Sequence, residues 1–457
     1  MYTSIEFASS SLSILLSLLS FSASSLAQNN NQGGDRSFQV HRQRLDDYWK
    51  PSPNRNSQHV LNLKGNRKGN PISAAYAKSL RQGSQVNGTY GYEEVDANEL
   101  LGGKSYELVI DTGSSDTWLP RNTFQCAAVG TGDYLPQASC EFSDTYTPSA
   151  SFTPIDNLNY HVTYTSGQAL TGTFGTESVQ VAGITVNDQQ IAVVDNAQYS
   201  GDGITAGVLG LAFPADTKAF KGDDYRQDYA GTQQVYSPIF TSMYTEGNVA
   251  PLFSIALDRN SGGLLAIGGL PPVSYFPVFA SSPFELLSTG DGTDQGVASL
   301  SSYTLYSITV QGFDYRGSNV SQWSYDNYPN PFGSPSDNTQ VQTIVDTGVS
   351  LMFLPKGVAD AVNALFTPRY SYVNSAGYYV ISCNATAPTF GVKIGFETFY
   401  VNPKDMVVNI GSGTCVSGIA ATGSNGASFL GQTFLKNVLA VFDVGAQMMR
   451  FAAREYY

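Results

Sequence analysis

Short apolar runs separated by polar turns recur along this chain, and two of them end in the same way. Residues 108–110 lead into Asp111, residues 343–345 lead into Asp346, and Thr-Gly follows each aspartate. An apolar run of this length is typical of a buried strand, and glycine allows a sharp turn after it. We therefore predict two buried strands, one in each half of the chain, that each deliver one aspartate into a turn.

Alternating apolar and polar residues over residues 160–183 predict a β-hairpin whose turn contains Thr-Ser-Gly-Gln at residues 165–168. Two polar stretches, residues 218–234 and 323–340, interrupt the apolar runs. Long polar loops of this kind are usually solvated, and some of them shape binding subsites. We expect both stretches to be surface insertions.

Helical spacing of apolar residues predicts two short helices, over residues 237–246 and 356–366. In the second helix the expected core contacts are Val358, Ala361, Val362 and Leu365. Both helices are interpreted as packing elements and not as binding surfaces.

The order of Asp-Thr-Gly followed by an apolar-Leu-Gly segment occurs twice in the chain. The second members are residues 206–211 and residues 429–431. An internal repeat of this kind predicts two lobes related by a pseudo-twofold axis, each contributing one aspartate to their interface. We place the first lobe at residues 87–277 and the second at residues 278–457.

Composition agrees with a mainly β protein. The 457 residues include 45 Gly, 28 Tyr and 25 Phe, and only 13% are charged, which suits many strands and turns. The length is sufficient for two lobes with cores of their own.

Charge divides the chain unevenly. Residues 28–86 carry ten basic and three acidic side chains, whereas residues 87–457 carry 14 basic and 33 acidic ones. An acidic body repels phosphates, which argues against nucleic acid as a partner. It also suits work at low pH, because acid removes negative charge before the few bases produce a large positive charge.

The first 27 residues are interpreted as a secretory signal, with an apolar run followed by the small-x-small sequence Ser25-Leu26-Ala27. The run is too short for a comfortable membrane span. Residues 28–86 are either a disordered linker or a propeptide, and we favour the propeptide. Arg67-Lys68 is a candidate processing site, and we expect the mature N-terminus within residues 69–90.

Cysteine and histidine usage narrows the chemistry. The simplest pairing of the four cysteines joins Cys126 to Cys140 and Cys383 to Cys415, although three connectivities are open. The acidic body keeps only His161, interpreted as a structural strand residue. A Ser-His-Asp triad could still use that residue, but a zinc site built from several histidines could not. Carboxylate chemistry remains.

In a secreted protein, Asn-x-Ser/Thr sequons and the C-terminal sequence carry information about modification. Asn87, Asn319 and Asn384 begin glycosylation sequons. The chain ends without an apolar tail, so a glycosylphosphatidylinositol anchor is not expected.

From about Gly91 to the C-terminus the chain resembles a pepsin-like aspartic endopeptidase of the secreted fungal type, made as a preproenzyme. The resemblance implies an all-β, bilobal fold in which Asp111 and Asp346 meet in a central cleft, share a proton and activate water for peptide hydrolysis at acid pH. It implies protein or peptide substrates, a monomer, and no metal, cofactor or membrane anchor.

The same resemblance assigns supporting residues. Thr112 and Thr347 would cross-link the two aspartate loops by hydrogen bonds. Gly113 and Gly348 would present backbone N–H groups to the inner carboxylate oxygens, and Ser114 would donate to the outer oxygen of the first aspartate.

The predicted hairpin would be the flap over the cleft, with Tyr164 as its tyrosine and the Trp118 indole as the hydrogen-bond donor to that phenol. Without the resemblance, Tyr164 would be interpreted as an ordinary strand aromatic. The hairpin tip is one residue longer than the family pattern.

The second motif departs from the family pattern at Val349, where Thr or Ser is usual. The outer oxygen of Asp346 would therefore lack a hydroxyl donor. Because a hydrogen bond to a carboxylate favours its ionised form, we predict that the dyad titrates at higher pH than in a relative with Thr here.

In zymogens of the family that this chain resembles, a basic prosegment covers the acidic cleft, and acid releases it by protonating the carboxylates. Residues 74–81, including Lys78, resemble the later part of such a prosegment. Two other functions stay open. One is a binding or inhibitory protein on the same scaffold, and the other is a cell-wall structural glycoprotein, which would not explain the doubled motif.

Overall fold

The structure is a computed structural model of the chain. It describes residues 56–66, 94–164, 167–259, 262–287, 302–317, 336–373, 377–410, 413–423 and 426–454. The predicted signal, most of the predicted propeptide, the sequons at Asn87 and Asn319, and most of residues 323–340 lie outside the described residues.

Strands dominate the described residues. In chain order they are β1 (His59–Asn66), β2 (Glu94–Leu101), β3 (Lys104–Asp111), β4 (Trp118–Ala127), β5 (Tyr134–Leu135), β6 (Thr153–Thr163), β7 (Ala169–Val181), β8 (Ile184–Gln198), β9 (Gly207–Gly210), β10 (Ala219–Lys221), β11 (Leu252–Asp258), β12 (Gly262–Ile267), β13 (Phe279–Pro283), β14 (Ser307–Val310), β15 (Gly312–Arg316), β16 (Val341–Val345), β17 (Met352–Leu354), β18 (Tyr372–Val373), β19 (Tyr379–Ile381), β20 (Thr389–Ile394), β21 (Glu397–Val401), β22 (Val407–Asn409), β23 (Cys415–Ser417), β24 (Ile419–Ala421), β25 (Ser428–Leu430), β26 (Val438–Asp443) and β27 (Met448–Ala453).

Helices are short. The α-helices among the described residues are α1 (Ile239–Thr245), α2 (Lys356–Asn363) and α3 (Gln432–Leu435), and the 3₁₀ turns are Gln137–Cys140, Pro214–Asp216, Tyr225–Gln227 and Ala230–Thr232. The predicted all-β class is confirmed. Within the described residues, no helix has the length and apolar character needed to cross a lipid bilayer.

One large sheet contains most of the first half and also connects it to the second. Its strand order is β10-β6-β7-β8-β4-β9-β3-β2-β1-β12-β11-β26-β27-β13, with β5 on β4 and a further pairing of β7 with β2. The join is made where β11 pairs with β26. Three smaller sheets of the second half have the orders β14-β16-β25-β17-β24, β15-β20-β21 and β18-β19-β23-β22.

The junction between the halves is deeply buried. All six residues of β26 are buried. The rings of Phe253 on β11 and Phe442 on β26 stack with centroids 4.5 Å apart, and Tyr306 from the second half packs edge-on against Phe442 at 4.7 Å. Aromatic burial of this kind provides a rigid support for whatever the two halves hold between them.

The predicted internal repeat is present in the strand pairing. In the first half β3 runs parallel to β9, with Asp111 opposite Gly210. In the second half β16 runs parallel to β25, with Val345 opposite Leu430. A Cβ on Gly210 would lie 2.4 Å from the backbone of the first aspartate loop, and one on Gly431 would lie 2.2 Å from that of the second. Each glycine therefore permits the close approach that its sequence position predicted.

Residues 56–66 change the interpretation of the basic segment. They contain β1, which pairs antiparallel with β12 and with β2, and Leu63 is only 3% exposed. Lys64 forms an ion pair with Glu107 at 3.0 Å. A disordered linker does not describe this part of the segment, because it supplies a strand to the large sheet.

Both predicted helices form, with corrected details. The helix predicted over residues 237–246 is α1. In α2 the buried residues are Val358, Ala359, Val362 and Asn363, so Ala359 replaces the predicted Ala361 at the core, and Leu365 lies beyond the helix end. The predicted hairpin over residues 160–183 is the pair β6 and β7.

The predicted disulfides are confirmed. Cys126 bonds to Cys140, and Cys383 bonds to Cys415. Each bond closes a loop within its own half of the chain, and such bonds stabilise mainly by restricting the unfolded chain.

Candidate active site

The two aspartates that follow the apolar runs lie side by side at the junction of the halves. Asp111 ends β3, and Asp346 directly follows β16. Their carboxyl groups hydrogen-bond to each other. Each turn also lies against the opposite aspartate: a Cβ on Gly113 would be 2.2 Å from Asp346 Oδ2, and one on Gly348 would be 2.6 Å from Asp111 Oδ1.

The loops that carry the aspartates are cross-linked by their threonines. The backbone N–H of Thr112 donates to Thr347 Oγ1 at 3.0 Å, and the backbone N–H of Thr347 donates to Thr112 Oγ1 at 3.0 Å. The Thr112 hydroxyl then donates to the carbonyl of Val345 at 3.1 Å, and the Thr347 hydroxyl donates to that of Ile110 at 2.7 Å. Both threonines are fully buried, so these four bonds fix the spacing of the loops.

Hydrogen bonding to the two carboxylates is unequal. Gly113 N–H donates to Asp111 Oδ1 at 2.8 Å, and the Ser114 hydroxyl donates to Asp111 Oδ2 at 2.5 Å. Asp346 receives the corresponding backbone bond, from Gly348 at 2.8 Å. The residue that would supply a second donor is Val349, which is 3% exposed and has no hydroxyl.

The pKa of Asp346 is raised well above its usual value. Burial is the main cause, and the adjacent charge of Asp111 adds to it, while the Gly348 N–H opposes the rise. A carboxyl in this environment favours its protonated form. The structure therefore holds two carboxyl groups in contact, one with more hydrogen-bond donors than the other.

An aromatic side chain from the β6–β7 hairpin reaches this site. The indole N–H of Trp118 donates to the hydroxyl of Tyr164 at 2.9 Å. Trp118 is 1% exposed. Tyr164 directly follows β6 and is close enough to Asp111 for that charge to act on its phenol. Burial raises the pKa of Tyr164, so the phenol stays protonated.

A sequence profile described as "Eukaryotic aspartyl protease" matches residues 101–454. The chain belongs to the eukaryotic aspartyl protease family. This aspartyl protease is 38% identical over 410 residues to a probable aspartic-type endopeptidase of Aspergillus fumigatus, with 86% of this chain and 87% of the relative covered. It is 26% identical over 388 residues to aspergillopepsin-1 of Aspergillus pseudoglaucus, with 84% and 85% covered.

A solved structure, the aspartic proteinase from Irpex lacteus, matches 87% of this chain and 97% of its own length with a TM-score of 0.58 at 17% identity. At that identity the match shows the fold alone. The architecture of this aspartyl protease is thus the bilobal pepsin-like fold. The family and the named relatives, not this structural match, show that its enzyme class is aspartic endopeptidase.

Other residues singled out from the sequence lie away from the dyad. Asn384 is exposed. His161 lies on β6 with Nδ1 3.7 Å from Asp228 Oδ2, which agrees with a structural role. Sequence reasoning missed Gln432, whose amide donates to the carbonyl of Thr347 at 2.9 Å from a 1%-exposed position. Its place directly after the second apolar-Leu-Gly segment was the available signal.

Sequence reasoning also missed a set of buried carboxyls. Burial raises the pKa of Glu99 well above its usual value and that of Glu397 to about 8, although Lys393 opposes the second rise. Glu99 is 1% exposed, and within the described residues neither of its carboxyl oxygens has a hydrogen-bond partner. Burying a charge in such a position is costly, so both groups are neutral in the folded acid form.

Because of these two glutamates, we expect the folded state to become less stable as pH rises. Their pKa values are higher in the folded state than in the unfolded state. Their contribution to the free energy of unfolding is therefore fully present below about pH 4.5 and is lost as pH rises, for Glu397 up to about pH 8. Each such group should lower the free energy of unfolding by about 1.4 kcal/mol per pH unit within its window. Urea unfolding of an Asp111→Asn background, which prevents self-digestion, should show this slope.

Glu397→Gln should reduce the slope of the free energy of unfolding against pH between pH 5 and 8. The control Glu246→Gln, at an exposed position, should leave that slope unchanged. Equal slopes in the background protein and in the Glu397→Gln variant would show that this carboxyl is not a source of the pH dependence.

Val349→Thr tests the unequal donors of the dyad. A hydroxyl at this position can donate to the outer oxygen of Asp346 and favour its ionised form, so the raised pKa of Asp346 should fall. Since Asp346 has the raised pKa, we expect the alkaline limb of the kcat/KM profile to move to lower pH by about 0.5 to 1 unit. Val349→Ala, which adds no donor, is the control, and a limb shifted equally by both variants would contradict this explanation.

Proposed function

We propose that this chain is the precursor of a secreted aspartic endopeptidase that hydrolyses peptide bonds at acid pH with water activated by Asp111 and Asp346. The observation that carries the proposal is the contact between the two carboxyl groups, with each Thr-Gly turn lying against the opposite aspartate. Two carboxyl groups this close cannot both ionise comfortably, so they titrate as a unit that holds one proton over a range of pH.

The unequal donors assign the roles of the dyad. Asp111, with hydrogen bonds from Gly113 and Ser114, is the ionised partner and takes a proton from the bound water. Asp346, whose pKa is raised, holds the shared proton and donates a hydrogen bond to the substrate carbonyl. The water oxygen attacks the carbonyl carbon, and a tetrahedral intermediate forms.

Collapse of the intermediate completes the reaction. The proton that Asp111 took from water passes to the departing nitrogen, the C–N bond breaks, and a carboxylic acid and an amine are released. The threonine cross-link keeps the two carboxyls near coplanar during this exchange, because a displacement of about 1 Å can cost about 100-fold in rate. The flap tyrosine Tyr164, held by the indole of Trp118 on β4, closes the site over the substrate.

The remaining parts of the proposal concern maturation. Residues 1–27 direct secretion, which fits the two disulfides. Residues 28–86 form the propeptide of a zymogen, and the pairing of β1 with β2 and β12 supports docking of this segment on the body. Residues 87–277 and 278–457 form the two lobes of a monomer, and the exposed Asn384 is a glycosylation site.

Hydrolysis of denatured globin at acid pH, blocked by pepstatin, tests the proposed activity. N-terminal sequencing of the acid-treated secreted protein tests maturation and locates the cut, and the same experiment on an Asp111→Asn chain shows whether the cut is self-catalysed. Pepstatin binding without hydrolysis would favour a binding or inhibitory protein on the same scaffold, because the cleft would be intact and the chemistry lost.

A further inference from the structure

The polar segment predicted to be a surface insertion pairs with β6, the strand that leads to Tyr164. Its strand β10 pairs antiparallel with β6, with Ala219 opposite Tyr160 and Lys221 opposite Leu158. The hairpin that carries Tyr164 therefore has a neighbouring strand on each side, with β10 on β6 and β8 on β7. Strand β10 supplies the backbone partner of β6 on the side away from β7, where β6 would otherwise be a sheet edge.

A buried asparagine fastens this segment to the flap strand. The side-chain amide of Asn159 donates to the carbonyls of Phe220 at 3.3 Å and Gly222 at 3.1 Å, and to Asp228 Oδ1 at 3.1 Å. Asn159 is 5% exposed, so these bonds are protected from water and fix the segment to β6.

Lys218 at the start of the segment and Tyr236, two residues past its end, both contact Asp116, which lies in the loop between β3 and β4. The backbone N–H of Lys218 donates to Asp116 Oδ1 and Oδ2 at 3.2 and 3.1 Å. The hydroxyl of Tyr236 donates to Oδ1 at 2.7 Å. Asp116 is 3% exposed. One carboxyl group therefore connects the loop after Asp111 to the residue that directly precedes β10.

The connection continues to the flap tyrosine through Tyr160. Its ring packs on Phe174 at 5.6 Å, and the ring of Tyr236 packs on the same phenylalanine at 5.6 Å. The hydroxyl groups of Tyr160 and Tyr164 lie within hydrogen-bonding reach of each other. The Trp118 indole also donates to the Tyr164 oxygen, so two neighbouring side chains hold this phenol in place.

We propose that Asp116 is a positioning residue for peptide cleavage, which fixes residues 218–236 against strand β6 of the flap and thereby holds Tyr164 in place at the dyad. The proposal rests on the proposed endopeptidase function, because only substrate turnover reports on the placement of the flap. Asp116 does not touch the reacting atoms and acts through Tyr160 and Tyr164.

The chemistry of Asp116 indicates a suitable variant. Burial raises its pKa to about 7, although the bonds from Tyr236 and Lys218 oppose the rise. The group is therefore neutral at acid pH, and Asn keeps a carbonyl oxygen that can accept both bonds. Ala removes the acceptor. Asp116→Asn should then preserve the connection at acid pH, and Asp116→Ala should break it.

The experiment compares kcat and KM for a fluorogenic peptide at acid pH, with active enzyme counted by pepstatin titration. Asp116→Ala should lower kcat/KM about tenfold and Tyr236→Phe about fivefold, while Asp116→Asn stays within about twofold of the parent enzyme. In a Tyr164→Phe background the first two changes should have no further effect, because the flap phenol is the group they position.

Tyr379→Phe is the matched control, since the Tyr379 hydroxyl donates to Asp360 at 2.6 Å in the second half of the chain. It removes the same kind of bond and should leave kcat/KM unchanged. Losses that persist undiminished in the Tyr164→Phe background would overturn the proposal, and so would a Tyr236→Phe enzyme with unaltered kinetics. If Asp116→Ala fails to fold, Tyr236→Phe still decides the outcome. Failure of the parent enzyme to cleave any peptide would instead reject the proposed function.

Discussion

Replacing either Asp111 or Asp346 by Asn is expected to lower kcat/KM for peptide cleavage at acid pH by about 10³- to 10⁴-fold. An amide at position 111 cannot take a proton from the attacking water. An amide at position 346 has no acidic proton that could be shared between the two groups and the substrate carbonyl. The two variants should be similarly inactive, because the carboxyls act as a pair.

The measurement is initial-rate hydrolysis of a fluorogenic peptide by each purified variant, with circular dichroism and thermal unfolding to verify the fold. Asp360→Asn is the control, since this aspartate on α2 is bound by Lys356 at 2.5 Å and by Tyr379 but has no contact with the dyad. Any residual rate must also be inhibited by pepstatin, or it belongs to a contaminating protease. Wild-type cleavage by either dyad variant would refute the two-aspartate mechanism.

The features that the sequence predicted well are local or repeated. An apolar run before Asp-Thr-Gly identifies a strand and its turn from eight consecutive residues, and the second copy around Asp346 makes chance an unlikely explanation. The disulfides were also accessible, because the closest cysteines along the chain pair with each other. The placement of Asp111 at the end of β3 follows from the same local pattern.

The contacts that complete the site are not local, and the residues alone did not predict them. Thr112 and Thr347 are 235 residues apart in the chain, and no periodicity connects them; only resemblance to a family indicated the cross-link. Residues 218–234 lie largely at the surface, as their polar composition predicted. Composition did not predict that β10 in this stretch would pair with β6, nor that the stretch would accept three hydrogen bonds from Asn159.

Buried carboxyl groups are a second feature that the pattern of apolar and polar residues did not predict. Glu99 stands in a strand at a position where a core residue is expected, yet charge in a sequence is normally interpreted as exposure. Only tertiary packing shows that it is 1% exposed. Burial of this carboxyl costs little at acid pH, because the raised pKa keeps the group protonated there, and it becomes unfavourable only as pH rises.

Replacing a turn glycine beside the dyad by alanine is expected to abolish most of the activity while the protein stays folded. Gly113→Ala would place a Cβ 2.2 Å from Asp346 Oδ2 and 2.5 Å from its Cγ. The backbone of Gly113 is not in the left-handed region, so alanine can adopt it. The atoms that must move belong to the carboxyl group, which can rotate away from Asp111.

We expect Gly113→Ala to reduce kcat/KM by at least about 10²-fold, because a misplacement of about 1 Å at the reacting groups already costs that much. Pepstatin affinity should fall as well, while the melting temperature stays close to that of the parent enzyme. Gly348→Ala, whose Cβ would lie 2.6 Å from Asp111 Oδ1, should behave in the same way, since the two turns are placed reciprocally.

Gly357→Ala is the matched control. Gly357 lies in α2, and a Cβ there would have no atom within 4 Å among the described residues. Because alanine favours a helix over glycine by about 1 kcal/mol, this variant should keep full activity and melt slightly higher. A Gly113→Ala enzyme that retains its rate within about twofold would mean that the dyad tolerates displacement, and the shared-proton geometry would then not be the source of the activity.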